Sequence, residues 1–246
     1  MDLDNKNMSA FLDQVSEIIE ENLQQTKYSE NLKKIPLSQQ ECIYIVDFNK
    51  SKVIFNRGFK SLLGFDDKEI SIDLITSLYH PDDAELTDRV IMATIQYCLE
   101  NPVGSSNNIL FISFRIRKKD GTYIKILSQS SIYTTDDKGR LTSSLIRFTD
   151  ISFIDNTENV NWNFNANNLN KGDFKQQIYE SYQSLFTNRE IEIIIEIEKR
   201  LTNKLIAENL KISEHTVATH RKHILKKANC HNSDKLIRFC RGKGII

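Results

Sequence analysis

Apolar residues recur in two rhythms along this 246-residue chain, and each change of rhythm marks an element. Near the start, Phe11, Leu12, Val15, Ile18, Ile19 and Leu23 follow Ser9 at helical intervals, with Asp13, Glu17, Glu20 and Glu21 on the other side. That spacing predicts an amphipathic helix over 9–25 with Ser9 as its N-cap. Such a helix is not stable alone in water, so it covers its own domain or a second chain. Residues 26–40, polar and interrupted by Pro36, read as a connector. From Glu41 the period shortens to two. Residues 42–48 and 52–55 are strand-like on either side of Asn49-Lys50-Ser51, a turn composition.

Residues 57–101 return to a helical rhythm. Short pieces are predicted over 58–65 and 67–78, and Pro81-Asp82-Asp83 opens a longer helix ending by Pro102. In it Leu86, Val90, Ile91, Ile95 (or Thr94), Cys98 and Leu99 form the apolar stripe. After a loop over 101–108, three strand-like runs cover 109–118, 122–134 and 140–151. Lys119-Asp120-Gly121 and Asp136-Asp137-Lys138-Gly139 join them as hairpin turns. Eight Asn between Asn156 and Asn170 then give residues 155–171 the composition of a linker. Val160, Trp162 and Phe164 alternate within it, which suits a short strand or an apolar latch.

Beyond 174 the period is helical to the end. Thr187 and Glu190 make a capping box ahead of Ile193, Ile194 and Ile197, with Leu201 closing the turn. Thr202 caps a second helix, 203–210, with Leu205, Ile206 and Leu210 as its buried stripe. Lys211-Ile212-Ser213 is a tight connection to a third, 213–228, where Ser213 is the N-cap and Val217, Ile224, Leu225 and Ala228 face inward. Asn232 (or Ser233) opens a fourth, with Leu236, Ile237 and Cys240 inside. Short helices of this order, the third of them basic, make a helix-turn-helix unit.

Charge sharpens the division. Formal net charge is zero, yet residues 184–246 hold 13 Lys+Arg against seven Asp+Glu, leaving 20 against 26 in the rest. A basic C-terminal part beside an acidic remainder points to a polyanionic partner for the former. Hydroxyls near the start of helix 213–228, with Arg221, Lys222, Lys226 and Lys227 further along, suit phosphate and base-edge contacts in a major groove. Cys42, Cys98, Cys230 and Cys240 are too scattered for a disulfide framework, and no apolar run reaches membrane-spanning length. With no apolar core of a signal peptide at the start, a cytoplasmic location is expected.

Two resemblances follow from the motifs. Over roughly 40–153 the element order resembles the PAS domain, an α+β fold with an antiparallel five-stranded sheet and helices. The wording agrees at Asn56-Arg57-Gly58-Phe59, Leu62-Leu63-Gly64-Phe65, Tyr79-His80-Pro81-Asp82-Asp83, Lys118-Lys119-Asp120-Gly121-Thr122-Tyr123 and Thr149-Asp150-Ile151. Phe186-Thr187-Asn188-Arg189-Glu190, Leu201-Thr202-Asn203-Lys204, Ile206-Ala207, Ile212-Ser213, Thr216-Val217, His220-Arg221, Ile224 and Lys227 resemble the DNA-binding domain of LuxR-type regulators. This implies an all-α, four-helix domain with 213–228 as recognition helix. The implied DNA-binding residues are Lys204, Thr216, Ala218, Thr219, Arg221, Lys222, Lys226 and Lys227. The family's usual basic side chain at 218 is here Ala, which can meet a thymine methyl but cannot donate to guanine. Specificity should therefore rest on Thr219, Arg221 and Lys222. Arg200 stands where the family has glycine, and Ile195-Glu196 reverses its polar-then-apolar order.

Rival chemistries fit less well. A phospho-receiver needs an acidic pair after an early strand and a parallel sheet, and the three closing hairpin-linked strands are wrong for that. Eight Gly form no phosphate loop, and there is no nucleophile elbow, so no enzymatic activity is expected. His80 suits the start of a helix better than a haem, Cys98 reads as a buried thiol, and His215, His220, His223, Cys230 and His231 lack zinc-site spacing. The expected organisation is an N-terminal helix and connector (1–40), a PAS sensor (41–153), an Asn-rich linker with a lead-in helix (154–180) and the DNA-binding domain (181–246). The expected protein is a transcriptional regulator, acting on double-stranded DNA as a homodimer, with RNA polymerase a candidate partner. No cofactor is predicted; a small-molecule ligand of the PAS half stays unidentified. The alternative is a PAS half that recruits a partner protein and senses nothing.

Overall fold

The alternating segments become strands β1 (Glu41–Asp47), β2 (Lys52–Arg57), β3 (Ile109–Arg117), β4 (Tyr123–Thr135), β5 (Leu141–Asp150) and β6 (Asn161–Asn165). All pairings are antiparallel, and the sheet runs β2-β1-β5-β4-β3-β6. The computed structural model describes residues 8–18, 32–101, 108–183, 185–243 and 245–246. Residues 19–25 of the expected first helix, 26–31 of the connector and most of the loop over 101–108 lie outside them.

The sheet has six strands where five were expected. Without β6, one edge of β3 would present unpaired backbone groups; instead Trp162 lies opposite Ile112 and Phe164 opposite Leu110. Phe164 is buried, while Asn161, Asn163 and Asn165 are exposed, so the alternation inside the Asn-rich segment is that of an edge strand. The chain divides into compact units of residues 1–171 and 172–246, so the first unit takes in both the N-terminal helix and β6. The boundaries expected at 40 and 153 fall inside that unit.

In the first unit, α1 (Met8–Ile18) buries Met8, Phe11, Leu12 and Val15. Its described length covers its own unit. Gly58 opens α2 (Phe59–Leu63) at φ 94°, and a Cβ there would stand 2.5 Å from the Glu41 carbonyl oxygen. Only glycine allows the helix to start so close to β1. A 3-10 turn (Asp67–Glu69) and α3 (Ile72–Ser77) follow, then α4 (Pro81–Glu100). The start of α4 is over-determined: His80 Nδ1 accepts from Asp82 N–H, Pro81 takes the first position, and Asp83 holds Arg115. Asp83 accepts from Arg115 N–H at 2.8 Å, Nε at 3.1 Å and Nη2 at 2.5 Å, which pins α4 to β3. The helix is buried beyond its apolar stripe, at Thr87, Arg89, Thr94 and Gln96 as well.

The second unit is helical. It comprises α5 (Lys171–Gln183), whose first residue belongs to the unit before, α6 (Asn188–Glu198), α7 (Asn203–Leu210), α8 (Glu214–Lys227) and α9 (Ser233–Gly242). Ile193, Ile194, Ile197, Ile206, Val217, Ile224, Leu236 and Cys240 form its core. Leu205, expected inside, is 44% exposed, and Ala207 is buried instead. Both flank Ile206 on the helix, and the inward side is the one whose methyl permits close approach.

Candidate nucleic-acid interface

The helix-turn-helix is set by its caps. Thr187 and Glu190 form the reciprocal capping box of α6, Thr202 accepts from Leu205 N–H, and Ser213 accepts from Thr216 N–H at 3.0 Å. Between α7 and α8, Lys211 takes the left-handed conformation at φ 53°, and Ile212 N–H returns to the Ala207 carbonyl. At the end of α6, Arg200 itself adopts φ 59° where glycine would be unstrained. The reversed Ile195-Glu196 order also has a physical account. Ile195 is 38% exposed, and Glu196 turns inward to accept from Asn209 Nδ2 at 2.7 Å and Lys199 Nζ at 2.6 Å. Those two bonds, Lys199's first, hold the Glu196 carboxyl below its ordinary pKa.

With Val217, Ile224 and Ala228 inside, α8 turns the opposite side to solvent: His215, Ala218, Thr219, Lys222, His223 and Lys226 are all exposed. His215, Thr219, Lys222 and Lys226 recur at four, three and four residues, a single stripe along the helix. Lys204 on α7 is exposed too. Arg189, Lys199, Lys227 and Arg241 are cations of ion pairs in this unit, whereas Lys204, Lys222 and Lys226 form none among the described residues. The charge of those three lysines is available to an anion.

The other expected contacts are differently placed. Thr216 is half-buried and its hydroxyl shares a hydrogen bond with Ser213 Oγ at 2.8 Å. Thr219 Oγ1 donates to the His215 carbonyl, one turn back. Arg221 points along the helix flank toward the protein: Nη2 donates to the Leu201 carbonyl at 3.0 Å and Nη1 to Ser233 Oγ at 3.4 Å. Burial lowers its pKa. Lys227 Nζ donates to Glu190 Oε2 at 2.7 Å, tying the end of α8 to the capping box of α6. Arg189 does for α7 what Arg221 does for the α6–α7 turn, donating to the Leu210 carbonyl at 2.8 Å. Thus Lys222, Lys226, Thr219, Ala218 and Lys204 face solvent without a tie to another element, whereas half-buried Arg221 and exposed Lys227 bond across to other elements and hold the unit together. His215 was not singled out for DNA from the sequence. The helical wheel carries the signal, since it sits one turn before Thr219 on the exposed stripe.

Comparison with known proteins agrees with both units. Residues 184–240 match the family model of bacterial regulatory proteins of the luxR family, and residues 52–145 match a PAS fold model. The uncharacterized transcriptional regulatory protein YxjL of Bacillus subtilis (strain 168) is 38% identical over 73 residues, 29% of this chain and 34% of that protein. The uncharacterized response regulatory protein YgeK of Escherichia coli (strain K12) is 42% identical over 65 residues, 26% of this chain and 44% of its own length. The chain therefore spans between a third and under half the length of these curated relatives. Among solved structures, the PAS domain of a Colwellia psychrerythraea protein aligns at TM-score 0.38 and 18% identity, over 50% of this chain and 96% of that one. The Vibrio cholera VqmA–ligand–DNA complex aligns at TM-score 0.32 and 16% identity, over 92% and 90%. The C-terminal helices are thus similar to bacterial regulatory proteins of the luxR family, and the segment ahead of them is similar to a PAS fold.

Proposed function

We propose that the chain is a sequence-specific transcriptional regulator that lays α8 in the major groove of double-stranded DNA. The exposed stripe of α8 carries this reading, because its lysines are outside the unit's ion pairs while the opposite side is core. Lys222 is the candidate for base readout, Lys226 and Lys204 for phosphates, and Thr219 with the Ala218 methyl for thymine contact. Thr216, Arg221 and Lys227 support the interface from behind, by orienting the helix. Modules of this kind bind half-sites about one helical turn apart as dimers, so a homodimer is the working form. The PAS half supplies a signal that changes DNA affinity, with RNA polymerase a candidate partner in the cytoplasm. Among the described residues no helix is long and apolar enough to cross a membrane. The experiment is selection of bound sequences from a random duplex library by the full chain, repeated with Lys222→Ala. A changed base preference in the variant supports the reading; an unchanged one refutes it.

A second reading is favoured by one observation. Phe153 and Ile154, adjacent just beyond β5, are 77% and 73% exposed in a turn closed by Ile154 and Asp155 N–H groups on the Ile151 carbonyl. Two ordered, solvent-facing apolar side chains suit a PAS half that recruits a partner protein. Replacing both with Ser would abolish partner capture and leave the response to small molecules intact.

A further inference from the structure

The first turn of α8 presents an exposed imidazole, that of His215, to solvent. We propose that His215 is a specificity-determining residue that reads guanine in the major groove, about three base pairs from the pair met by Lys222. The assignment rests on α8 being the helix that enters the groove.

Placement comes first. At about 3.6 residues per turn, His215 stands on the side of α8 opposite Val217 and Ile224, both fully buried. Thr219, Lys222 and Lys226 lie within about 40° of it around the axis, so the ring is at the centre of the exposed stripe. It is also the second residue after the Ser213 cap, and the N-terminal residues of a recognition helix are those that meet base edges.

Hydrogen-bond donors are scarce in the same two turns. Ala218 has none. The half-buried Thr216 hydroxyl shares a bond with Ser213 Oγ at 2.8 Å, and Thr219 Oγ1 gives its hydrogen to the His215 carbonyl at 3.0 Å. Glu214 offers only acceptor oxygens. His220 is half-buried on the flank nearer the core. The His215 ring, by contrast, makes no hydrogen bond or ion pair among the described residues. Its N–H is therefore free for DNA, and the donor that Ala218 cannot supply is found three residues earlier.

The choice of base follows from the ring. Its two nitrogens point in different directions, so one of them faces a given base. A single N–H meets acceptors alone on guanine, at N7 and O6, whereas on adenine the N6 donor stands beside N7. Guanine is the better partner. The position follows from the helix: seven residues separate His215 from Lys222, about 10 Å along the axis, against base pairs about 3.4 Å apart.

The test selects bound sequences from a random duplex library with the full chain, His215→Ala, His215→Gln and Lys222→Ala. His215→Ala should lose a guanine preference at one pair of each half-site, about three pairs from the position altered by Lys222→Ala. Its affinity for the parent's selected site should fall about five- to hundredfold, while affinity for unselected duplexes and the melting temperature stay as in the parent. His215→Gln should turn the preference at that pair toward adenine, which an amide side chain contacts with both its donor and its acceptor. Base preferences unchanged in His215→Ala, equal weakening on every duplex, or guanine retained by His215→Gln would overturn the proposal. If Lys222→Ala alone altered a position, His215 would be excluded and α8 would stand as the reading helix; if neither did, that reading would fall as well.

Discussion

Replacing Arg221 with Ala separates a scaffold residue from a DNA contact. Its guanidinium spans two elements, donating to the Leu201 carbonyl at 3.0 Å and to Ser233 Oγ at 3.4 Å. A hydrogen bond from a charged donor contributes about 1.5–3 kcal/mol, and the longer contact with partial exposure sets the pair at about 2 kcal/mol in total. The Leu201 carbonyl would also be left without its partner at the turn between α6 and α7. For a unit of this size each kcal/mol shifts Tm by about 4–8 °C, so Arg221→Ala should lower the melting of the helical unit by roughly 8–16 °C. Lys222→Ala removes no internal ion pair and should stay within about 0.5 kcal/mol of the parent. Thermal melts followed by circular dichroism, with hydrogen exchange to assign the change to 185–243, give the comparison. Arg221→Lys should recover little, because an ammonium has no planar fork with which to reach both acceptors. If Arg221→Ala melted like the parent but bound DNA as poorly as Lys222→Ala, the inward placement of Arg221 would be wrong.

Three further perturbations probe the two units separately. Lys222→Ala with Lys226→Ala should weaken DNA binding and flatten the dependence of log K on log salt by about 0.9 for each phosphate left unneutralised, read by fluorescence anisotropy at several salt concentrations. Gly58→Ala should destabilise the first unit by more than about 2 kcal/mol, since a Cβ would meet the Glu41 carbonyl oxygen at φ 94°, and urea denaturation monitored at Trp162 measures it. Burial pushes the Asp88 carboxyl up to about 7, and its Oδ1 is unpartnered. A carboxyl with a raised folded-state pKa favours the fold when protonated, so this group opposes stability above pH 7 and ceases to do so as pH falls toward its unfolded value. Asp88→Asn should therefore raise Tm at about pH 8 and have little effect near about pH 4; an equal effect at both would refute that account.

What the sequence disclosed was the part written in local chemistry. Thr187, Thr202, Ser213 and Asn232 are N-caps because their side chains reach amides only three residues on, and each accepts from that amide in the structure. Hairpin turns at Gly121 and Gly139 are local in the same way, both at positive φ. The directions of Arg221 and Lys227 were not legible, because their partners Leu201, Ser233 and Glu190 come from other elements. Glu196 was an oddity in sequence until Asn209, 13 residues away, supplied its donor. Leu205 misled because a helix of eight residues has too few turns to define its buried side from composition alone. A cavity between the helices and the sheet of the first unit was invisible for a similar reason: its wall draws on α1 (Met8, Leu12) and on β6 (Phe164), at opposite ends of that unit's sequence.

The pairing of β6 with β3 bears on how the protein can be dissected. A fragment ending at residue 153, where the family resemblance stops, would strip five residue pairs from β3 and uncover the slot that Phe164 fills. The bared strand would be long and largely apolar, a template for self-association. Asparagines on the covering strand answer that hazard: they present a polar outer rim, too short to recruit another sheet. The Asn-rich composition that looked like slack between modules is thus a protective hem, and a fragment meant to report on the PAS half in isolation should run through Lys171.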